Sequence, residues 1–422
     1  MPNFAVLTEL NTLGKMDKFL YDSPELTFFR YQHMKTTNFA VDQILTPMSG
    51  NNNTRFAEIE REGDLALNCY MVVDVPGMLA SMGDYYEKRI DNAGLAMIDN
   101  VQLTIGNQCV ERLSGAYMTA WDELSGGRKK LIIWNEEGTG ANTLINKFSD
   151  ADQAHRLYVP LPFTFTKNSG AALPLIGLQF HAVKITVNLR NVTDIYRDSP
   201  NIVMDAYQSS KGKTADGKAI NQELSTVSSW KDFQFHLLTD QVYLDKEERN
   251  AFADYSNDVL IEQVQERKLS KHNLNRPFQL TYNHSISELI WGIYNNNGDF
   301  ALKLDIARTA EGISEVSLKL NNHERFHALG KHGDYFRKVQ PYQHHTDVPT
   351  STSKIYCYNF GLKPEDAQPS GSINMSRIDN VMMTLTTDIP DGKQSEYDYY
   401  LWARNYNVLR IQNGMGGLVL TS

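Results

Sequence analysis

Two short stretches carry the side chains most able to do chemistry. In the first, His344, His345 and Asp347 lie close together, and imidazole with carboxylate is a donor set that binds Zn²⁺. A zinc site needs further protein ligands, and no other His or Cys stands at ligand spacing from these residues. We therefore interpret this stretch as a solvated loop, and we predict no metal site and no cofactor.

The second stretch is a group of acids around the turn sequence Pro390-Asp391-Gly392. Asp388, Asp391, Glu396 and Asp398 lie within it, and a pair of carboxylates supplies the acid and base of glycoside hydrolysis. Acids this dense around Pro and Gly are more typical of a charged loop. We predict no catalytic residues, and a β-sandwich carbohydrate hydrolase remains the enzyme alternative.

Four further signals have structural interpretations. His181 lies beside a predicted strand, where packing or hydrogen bonding is expected rather than action as a general base. Gly414-Met415-Gly416-Gly417 lacks the GK[ST] ending of a phosphate loop and predicts a turn. Arg128-Lys129-Lys130 predicts a solvated loop, because three charges give little affinity for nucleic acid. N-glycosylation patterns, interpreted as chance matches, begin at Asn52, Asn191, Asn283 and Asn374.

Length, composition and net charge limit the classes of protein to which this chain can belong. With 422 residues the chain is long enough for two domains, and 41% hydrophobic and 22% charged residues are ordinary for a globular protein. The net charge of −9 argues against direct binding of nucleic acid. Cys69, Cys109 and Cys357 form no CxxC pair and predict reduced thiols, mostly in the core. No secretory signal or membrane span is found, so synthesis in the cytosol is expected.

The segment 183–190 is the clearest strand in the chain. Apolar and polar side chains alternate over its eight positions, which predicts a half-buried antiparallel strand. Phe180 has the wrong parity for the apolar face, so we expect a bulge or strand boundary near His181-Ala182. The residues predicted to face the core are Val183, Ile185, Val187 and Leu189.

Short predicted strands separated by turns recur in both halves of the chain, as in β-sandwiches. The halves also correspond in order, and two of the matched pairs share one offset, since 356 − 158 and 381 − 183 both equal 198. The preserved order favours an internal duplication. The matched residues are Val101–Asn107 with Val316–Asn322, Tyr158 with Tyr356, Val183 with Val381, and Phe235–Val242 with Leu401–Val408.

Other segments connect the strands. Asp245 with Glu248 is a capping-box pattern that predicts a helical turn, and we place the connection between domains at 245–257. Residues 1–26 predict an irregular arm. Helical spacing of apolar residues predicts a short helix over 84–98, and the polar composition of 191–229 predicts a long surface loop.

A series of short blocks runs in order along nearly the whole chain. The blocks are Thr27–Arg30, Thr37–Ala40, Arg61–Leu65, Val159–Phe163, Ala172–Ile176, Leu178–His181, Glu248-Arg249, Phe252-Ala253, Leu260–Gln263, Val339–Gln343, Gln368–Gly371, Ser376–Asn380, Asn405–Ile411 and Gly414–Leu418. Together they resemble the major capsid protein family of the nucleocytoplasmic large DNA viruses, of the phycodnavirus and iridovirus type. A single block would be weak evidence, whereas the full ordered set is specific.

The resemblance implies an all-β fold of two consecutive eight-stranded antiparallel jelly-roll sandwiches (a double jelly roll) with short helices in loops. The expected segments are an N-terminal arm at 1–26, a first jelly roll at 27–245, a linker helix at 246–257 and a second jelly roll at 258–422. In this family the subunit forms a homotrimer, a pseudo-hexagonal capsomer that tiles the icosahedral shell of a large double-stranded DNA virus.

The resemblance also implies partners and a location. The expected partners are neighbouring capsomers, minor capsid or cement proteins and penton proteins, with the N-terminal arm as the contact to an internal viral membrane. The expected location is the virion capsid, after synthesis and assembly in the host cytoplasm. The alternative in a different class is a minor capsid or spike-like jelly-roll protein whose loops bind host glycans.

Overall fold

The structure is a computed structural model. It describes residues 8, 11–12, 14–31, 33–75, 87–89, 93–125, 155–191, 196–198, 230–254, 257–270, 275–295, 312–349, 354–387, 389 and 397–420. The chain divides into two compact units, Met1–Asn38 and Phe39–Ser422. The first unit contains a helix, Lys15–Tyr21, within the arm that we expected to be irregular.

Two antiparallel sheets make up the first half of the larger unit. One sheet has the order β1-β12-β4-β8 and the other β2-β3-β10-β6-β7, with β9 paired to β4. The strands are β1 (Phe39–Pro47), β2 (Ser49–Gly50), β3 (Thr54–Glu58), β4 (Leu65–Val75), β5 (Glu87–Arg89), β6 (Ile98–Ile105), β7 (Gln108–Ser114), β8 (His155–Pro160), β9 (Leu173–Pro174), β10 (Val183–Leu189), β11 (Tyr196–Asp198) and β12 (Gln234–Leu244).

The second half repeats this plan. One sheet has the order β13-β21-β15-β18, with β19 and β22 attached, and the other has the order β14-β20-β16-β17. The strands are β13 (Asn257–Ser270), β14 (Phe278–Gln279), β15 (Ser285–Asn295), β16 (Ile313–Leu320), β17 (His323–Glu324), β18 (Ile355–Asn359), β19 (Ile373–Asn374), β20 (Val381–Thr387), β21 (Tyr397–Gln412) and β22 (Met415–Leu418).

Each half therefore has eight main strands in the same arrangement. When those eight are counted in chain order, one sheet reads first, eighth, third, sixth, and the other reads second, seventh, fourth, fifth. This is a jelly roll, and the predicted all-β double jelly roll is confirmed. The matched segments of the sequence lie in equivalent strands, which supports the duplication: β6 with β16, β8 with β18, β10 with β20, and β12 with β21.

The strand predicted over 183–190 is β10, a central strand paired with β3 and β6. Val183, Ile185, Val187 and Leu189 are buried, as predicted from the alternation. The strand begins at Val183, which confirms the expected boundary, and Phe180 just before it is 75% exposed.

Helices are short and lie between strands. The helical turn predicted from the capping pattern at Asp245 is confirmed, because a helix begins at Lys246, whose backbone N–H donates to Asp245 Oδ1. The short helix predicted over 84–98 is wrong in extent, since β5 pairs with β11 there and, among the residues of this range that the structure describes, only Ala93–Ala96 is helical. Among the described residues of the larger unit, the remaining helices are Gly115–Ser125, Thr164–Lys167, Lys246–Asp254 and Gln340–His344. Single 3₁₀ or π turns lie at Ser169–Ala171, Leu175–Gly177, Trp230–Asp232, His327–Lys331, Tyr335–Val339 and Met375–Arg377.

Two hydrophobic cores organise the larger unit. One core belongs to the second jelly roll and contains Leu289 and Leu401. The other fills the first jelly roll and continues into the second, where it includes Ile290 and Trp402. Because neighbours along β15 and β21 enter different cores, the sheet β13-β21-β15-β18 is buried on both faces. The two jelly rolls thus share a core and are packed as one body.

Within the described parts of the chain, no helix has the length and apolar character needed to cross a bilayer. The long loop predicted over 191–229 lies outside the described residues, apart from residue 191 and the short strand β11. The domain boundaries predicted at 26, 245 and 257 stay a prediction.

Candidate functional site

The surface where the two jelly rolls meet holds a cluster of buried ion pairs, which we call the junction cluster. It consists of Glu111, Lys167, Glu262, Glu288, His345, Glu365 and Arg404. Glu111 and Lys167 belong to the first jelly roll, and the other five belong to the second. The elements that position them are β7, the helix Thr164–Lys167, β13, β15, β21 and the chain that follows β17 and β18.

Arg404 is the centre of the junction cluster. It lies on β21 directly opposite Glu288 of β15, and only 1% of the residue is exposed. One terminal nitrogen of its guanidinium donates to Glu288 Oε1 at 2.6 Å, and the other donates to Glu262 Oε2 at 2.6 Å. The second nitrogen also donates to the carbonyl oxygen of Pro364 at 3.0 Å. One buried cation therefore joins three strands and a loop of the second jelly roll.

His345 extends the junction cluster on the other side of Glu288. Its Nε2 lies 3.1 Å from Glu288 Oε2, its Nδ1 lies 3.0 Å from Glu365 Oε1, and its side chain is fully buried. Burial alone would lower the pKa of His345, but the Glu288 carboxylate outweighs it and raises that pKa far above the ordinary value. The imidazole is therefore charged at neutral pH, hydrogen-bonded to Glu365 through Nδ1 and at ion-pair distance from Glu288 through Nε2.

This position corrects our interpretation of the histidine pair. We predicted a solvated loop at His344, His345 and Asp347, whereas the His345 side chain is sealed inside the protein. His344 fits the prediction better, because its ring contacts the carbonyl oxygen of Leu362 at an exposed site. The prediction failed because the carboxylates that hold His345, Glu288 and Glu365, are distant in sequence and meet it only in the folded sheet.

Glu262 connects the junction cluster to the first jelly roll. Its carboxylate accepts a hydrogen bond from Lys167 Nζ at 2.7 Å in addition to the one from Arg404. Burial alone would raise the pKa of Glu262, but the charges of Arg404 and Lys167 lower it well below the ordinary value. Thr164 Oγ1 also lies 2.9 Å from the backbone nitrogen of Glu262 and accepts its hydrogen. The contact between the jelly rolls thus includes both an ion pair and a hydrogen bond from a backbone N–H group.

Trp121 supplies an aromatic surface for the same cations. It lies on the helix Gly115–Ser125 of the first jelly roll and is 7% exposed. The Arg404 guanidinium carbon is 4.0 Å from its ring centroid, Lys167 Nζ is 5.0 Å away, and the His345 ring meets it edge-on at 6.0 Å. Cation–π attraction is strongest where water is excluded, reaching about 2 kcal/mol, so this ring stabilises the buried charges.

The other candidate residues of the sequence analysis lie outside the junction cluster. His181 is hydrogen-bonded to the backbone of Gly416, which confirms the structural interpretation. The turn predicted at 414–417 is correct only at its first residue, since Asn413 and Gly414 have positive φ and join β21 to β22, whereas Met415, Gly416 and Gly417 lie in β22. We predicted that Asp398 belongs to a charged loop. In the structure it lies buried on β21 and pairs with Lys268. Asp388, Asp391, Glu396 and Arg128-Lys129-Lys130 lie outside the described residues.

Sequence reasoning missed the junction cluster, although a signal was present. The strands β15, β18 and β21 contain continuous apolar runs instead of alternation, the pattern of strands buried on both faces. Glu288 directly precedes one such run and Arg404 directly follows another. A charged residue in a doubly buried strand requires a buried partner of opposite charge, so these two positions could have been paired.

Comparison with known proteins shows which family the chain belongs to. A family model described as the major capsid protein N-terminus matches residues 27–245, and one described as the large eukaryotic DNA virus major capsid protein matches residues 248–417. The chain belongs to this family of viral major capsid proteins. The resemblance noted in the sequence is therefore confirmed.

Curated relatives agree with this assignment over their whole length. The capsid protein is 31% identical to the major capsid protein of Pyramimonas orientalis virus, with 99% of each chain covered. It is 27% identical to the major capsid protein of Paramecium bursaria Chlorella virus 1, with 98% of each chain covered. The role of the protein is structural, and its place is in the virion capsid.

Solved structures show the same fold. The chain in a quasi-atomic model of the PBCV-1 virus capsid superposes with a TM-score of 0.72 at 24% identity, covering 94% of the capsid protein and 100% of that chain. The Faustovirus major capsid protein superposes with a TM-score of 0.68 at 13% identity, covering 97% and 96% of the two chains. At these identities the likeness concerns the fold alone.

The charged side chains of the junction cluster pair with one another. Among the described residues, no group of three or more His, Cys, Asp or Glu has an arrangement that could hold a metal ion. Each ionic side chain except Glu111 has an ion-pair partner of opposite charge within the junction cluster. The arrangement joins the two sandwiches through the ion pair of Lys167 with Glu262.

Proposed function

We propose that the capsid protein assembles as a homotrimer whose six jelly rolls form a pseudo-hexagonal capsomer, and that capsomers tile an icosahedral shell. The observation that carries the proposal is the repetition of one strand order in two jelly rolls that share a core. Three subunits with two similar sandwiches each approximate a sixfold outline. Oligomers favour closed rotational symmetry, and a ring of three meets this condition.

The mass of the purified protein in solution tests the trimer. We expect light scattering coupled to size exclusion to give three times the mass of one chain over a wide range of concentration. A trimer that persists on dilution supports the proposal, since an obligate assembly buries a large surface. A monomer that persists at the highest concentration reached would contradict it.

We propose that the role is purely structural, without catalysis. The acid, imidazole and thiol groups that could form a catalytic set, Glu288, His345 and Cys357, have fully buried side chains and contact one another rather than a cleft. The acidic net charge of −9 supports a shell protein without direct contact to nucleic acid. Neighbouring capsomers, minor or cement proteins and penton proteins are the proposed partners, with assembly in the host cytoplasm.

We propose that the N-terminal unit, Met1–Asn38, contacts the internal viral membrane. Its described residues include exposed large apolar side chains, among them Phe28 at 94%, Phe29 at 100% and Tyr31 at 88%. Exposed apolar side chains at this density are typical of a binding segment. The unit has four basic and four acidic residues, so its attraction to lipid is apolar rather than electrostatic.

Flotation with phosphatidylcholine vesicles tests this contact. We expect the full chain to float with vesicles, and the triple change Phe28→Ser, Phe29→Ser and Tyr31→Ser to lower the bound fraction at least tenfold, because about 0.8 kcal/mol is lost per buried CH₂ group. Phe180→Ser, at a 75% exposed site in the larger unit, is the matched control and should leave flotation unchanged. Equal flotation of the triple variant and the parent chain would rule out the membrane contact.

A further inference from the structure

Glu111 is the one carboxylate of the junction cluster without an ion-pair partner in the part of the chain that the structure describes. It lies on β7 of the first jelly roll, at the surface that meets β13 of the second, and it is 4% exposed. Its Oε2 accepts a hydrogen bond from the backbone N–H of Thr164 at 3.0 Å. A neutral carboxylic acid is compatible with this environment, whereas a carboxylate would be a buried unpaired charge.

The charge balance of the junction cluster leads to the same conclusion. Its three cations are Lys167, His345 and Arg404, and its three directly paired carboxylates are Glu262, Glu288 and Glu365. These six charges cancel. Ionisation of Glu111 would therefore give the junction cluster a net negative charge inside the protein, where charge is poorly screened.

The groups that face Glu111 come from each neighbouring element. Lys167 favours the ionised form, and Glu262 on β13 opposes it. Tyr117 on the adjacent helix is buried and neutral, since burial strongly raises the pKa of its hydroxyl. The Cys109 thiol on the same strand also has a raised pKa because of burial, so it brings no charge near neutral pH. Among the described residues, one cation and one anion act on Glu111, and since they oppose each other they do not compensate its charge.

We propose that Glu111 is a proton switch for the contact between the two jelly rolls. With its proton, Glu111 leaves the junction cluster electrically balanced and the jelly rolls tightly held. Without the proton, the uncompensated charge weakens the contact between β7, the helix Thr164–Lys167 and β13. The rigidity of the subunit then depends on pH, independently of whether the subunit is a monomer or a trimer.

The expected pH range follows from the position of Glu111. Burial raises its pKa to about 7 from the ordinary 4.5, although the Thr164 hydrogen bond and Lys167 act in the opposite direction. Below pH 4.5 the carboxyl is protonated in both the folded and the unfolded chain. As pH rises from 4.5 to about 7, the unfolded chain loses the proton first and stability falls. Above about pH 7 both forms are ionised, and the loss is complete.

Hydrogen exchange of the purified full chain tests the switch locally. After correction for the intrinsic rate, we expect protection of the peptides that cover β7 and Thr164 to fall about tenfold between about pH 6 and pH 8. Glu111→Gln, which keeps the shape and the acceptor without the charge, should show equal protection at both pH values. Glu58→Gln, an exposed change on β3, is the matched control and should behave as the parent chain does.

A second variant keeps the test decisive if Glu111→Gln folds poorly. Lys167→Met removes the cation that favours ionisation of Glu111, so the fall in protection should move to higher pH. The proposal is overturned if the parent chain shows no fall over this range, if Glu111→Gln shows the same fall, or if Lys167→Met leaves its midpoint unchanged. It is supported if the fall disappears in the first variant or shifts upward in the second.

Discussion

Replacing Arg404 by Met is expected to lower the free energy of unfolding by about 3–5 kcal/mol, because a buried ion cluster loses its central cation. Glu262 and Glu288 would remain inside the protein with one cation each instead of two. The Pro364 carbonyl would lose its donor, and Trp121 would lose the cation closest to its ring. Urea unfolding followed by circular dichroism, at one fixed chain concentration, measures the effect.

Arg410→Met is the matched control for this prediction. Arg410 lies on the same strand, β21, and pairs with Asp258 of the same neighbour, β13, but both side chains are about half exposed. Water replaces the partner when an exposed pair is broken, so the urea midpoint should hardly move. If the two arginine variants lose the same stability, the junction cluster does not hold the jelly rolls together.

Replacing Trp402 by Ala is expected to lower the free energy of unfolding by about 3–5 kcal/mol, since it opens a large cavity in a packed core. Trp402 comes from the second jelly roll but lies, fully buried, in the core of the first. Its ring meets Tyr117 edge-on at 6.1 Å and stacks on Tyr400 at 5.7 Å. Thermal and urea unfolding of the same samples should both show the loss.

Trp402→Phe separates the ring from its hydrogen bond. Trp402 Nε1 donates to Glu266 Oε2 at 2.8 Å, and Glu266 is exposed, so its carboxylate can be hydrated once the donor is gone. We expect Phe to retain most of the packing and to lose about 1 kcal/mol for the hydrogen bond. Equal losses for Ala and Phe would mean that the ring does not contribute to the shared core.

The strands could be predicted because their signals are local. In β10 the alternation of Val183, Ile185, Val187 and Leu189 requires only that one face meets a core and the other meets water. The capping pattern at Asp245 is likewise local, and the helix begins where it was expected. The helix predicted over 84–98 is wrong because pairing of β5 with the distant β11 overrides the local periodicity.

Local patterns did not locate the junction cluster, although the apolar runs beside Glu288 and Arg404 indicated doubly buried strands. His345, Glu288 and Arg404 are separated by long stretches of chain, and no local pattern shows which of them meet in space. Asp398 was interpreted with the acids around Pro390 because they are neighbours in sequence, yet its partner in space is Lys268. Burial and pairing of charges depend on which elements meet, and this information is spread over both halves of the chain.

By itself, the sequence determined the repeated β-sandwich plan, the order of its strands and the family to which the chain belongs. The sandwich plan follows from periodic burial and turn residues, which act over a few positions, whereas the strand order and the family were implied by the resemblance of the ordered blocks. Only the tertiary structure decided that one sheet is buried on both faces and that its charges balance to leave Glu111 unpaired. The physical reason is that desolvation and Coulomb energy depend on distances between atoms in space, and neighbours in the chain do not set those distances.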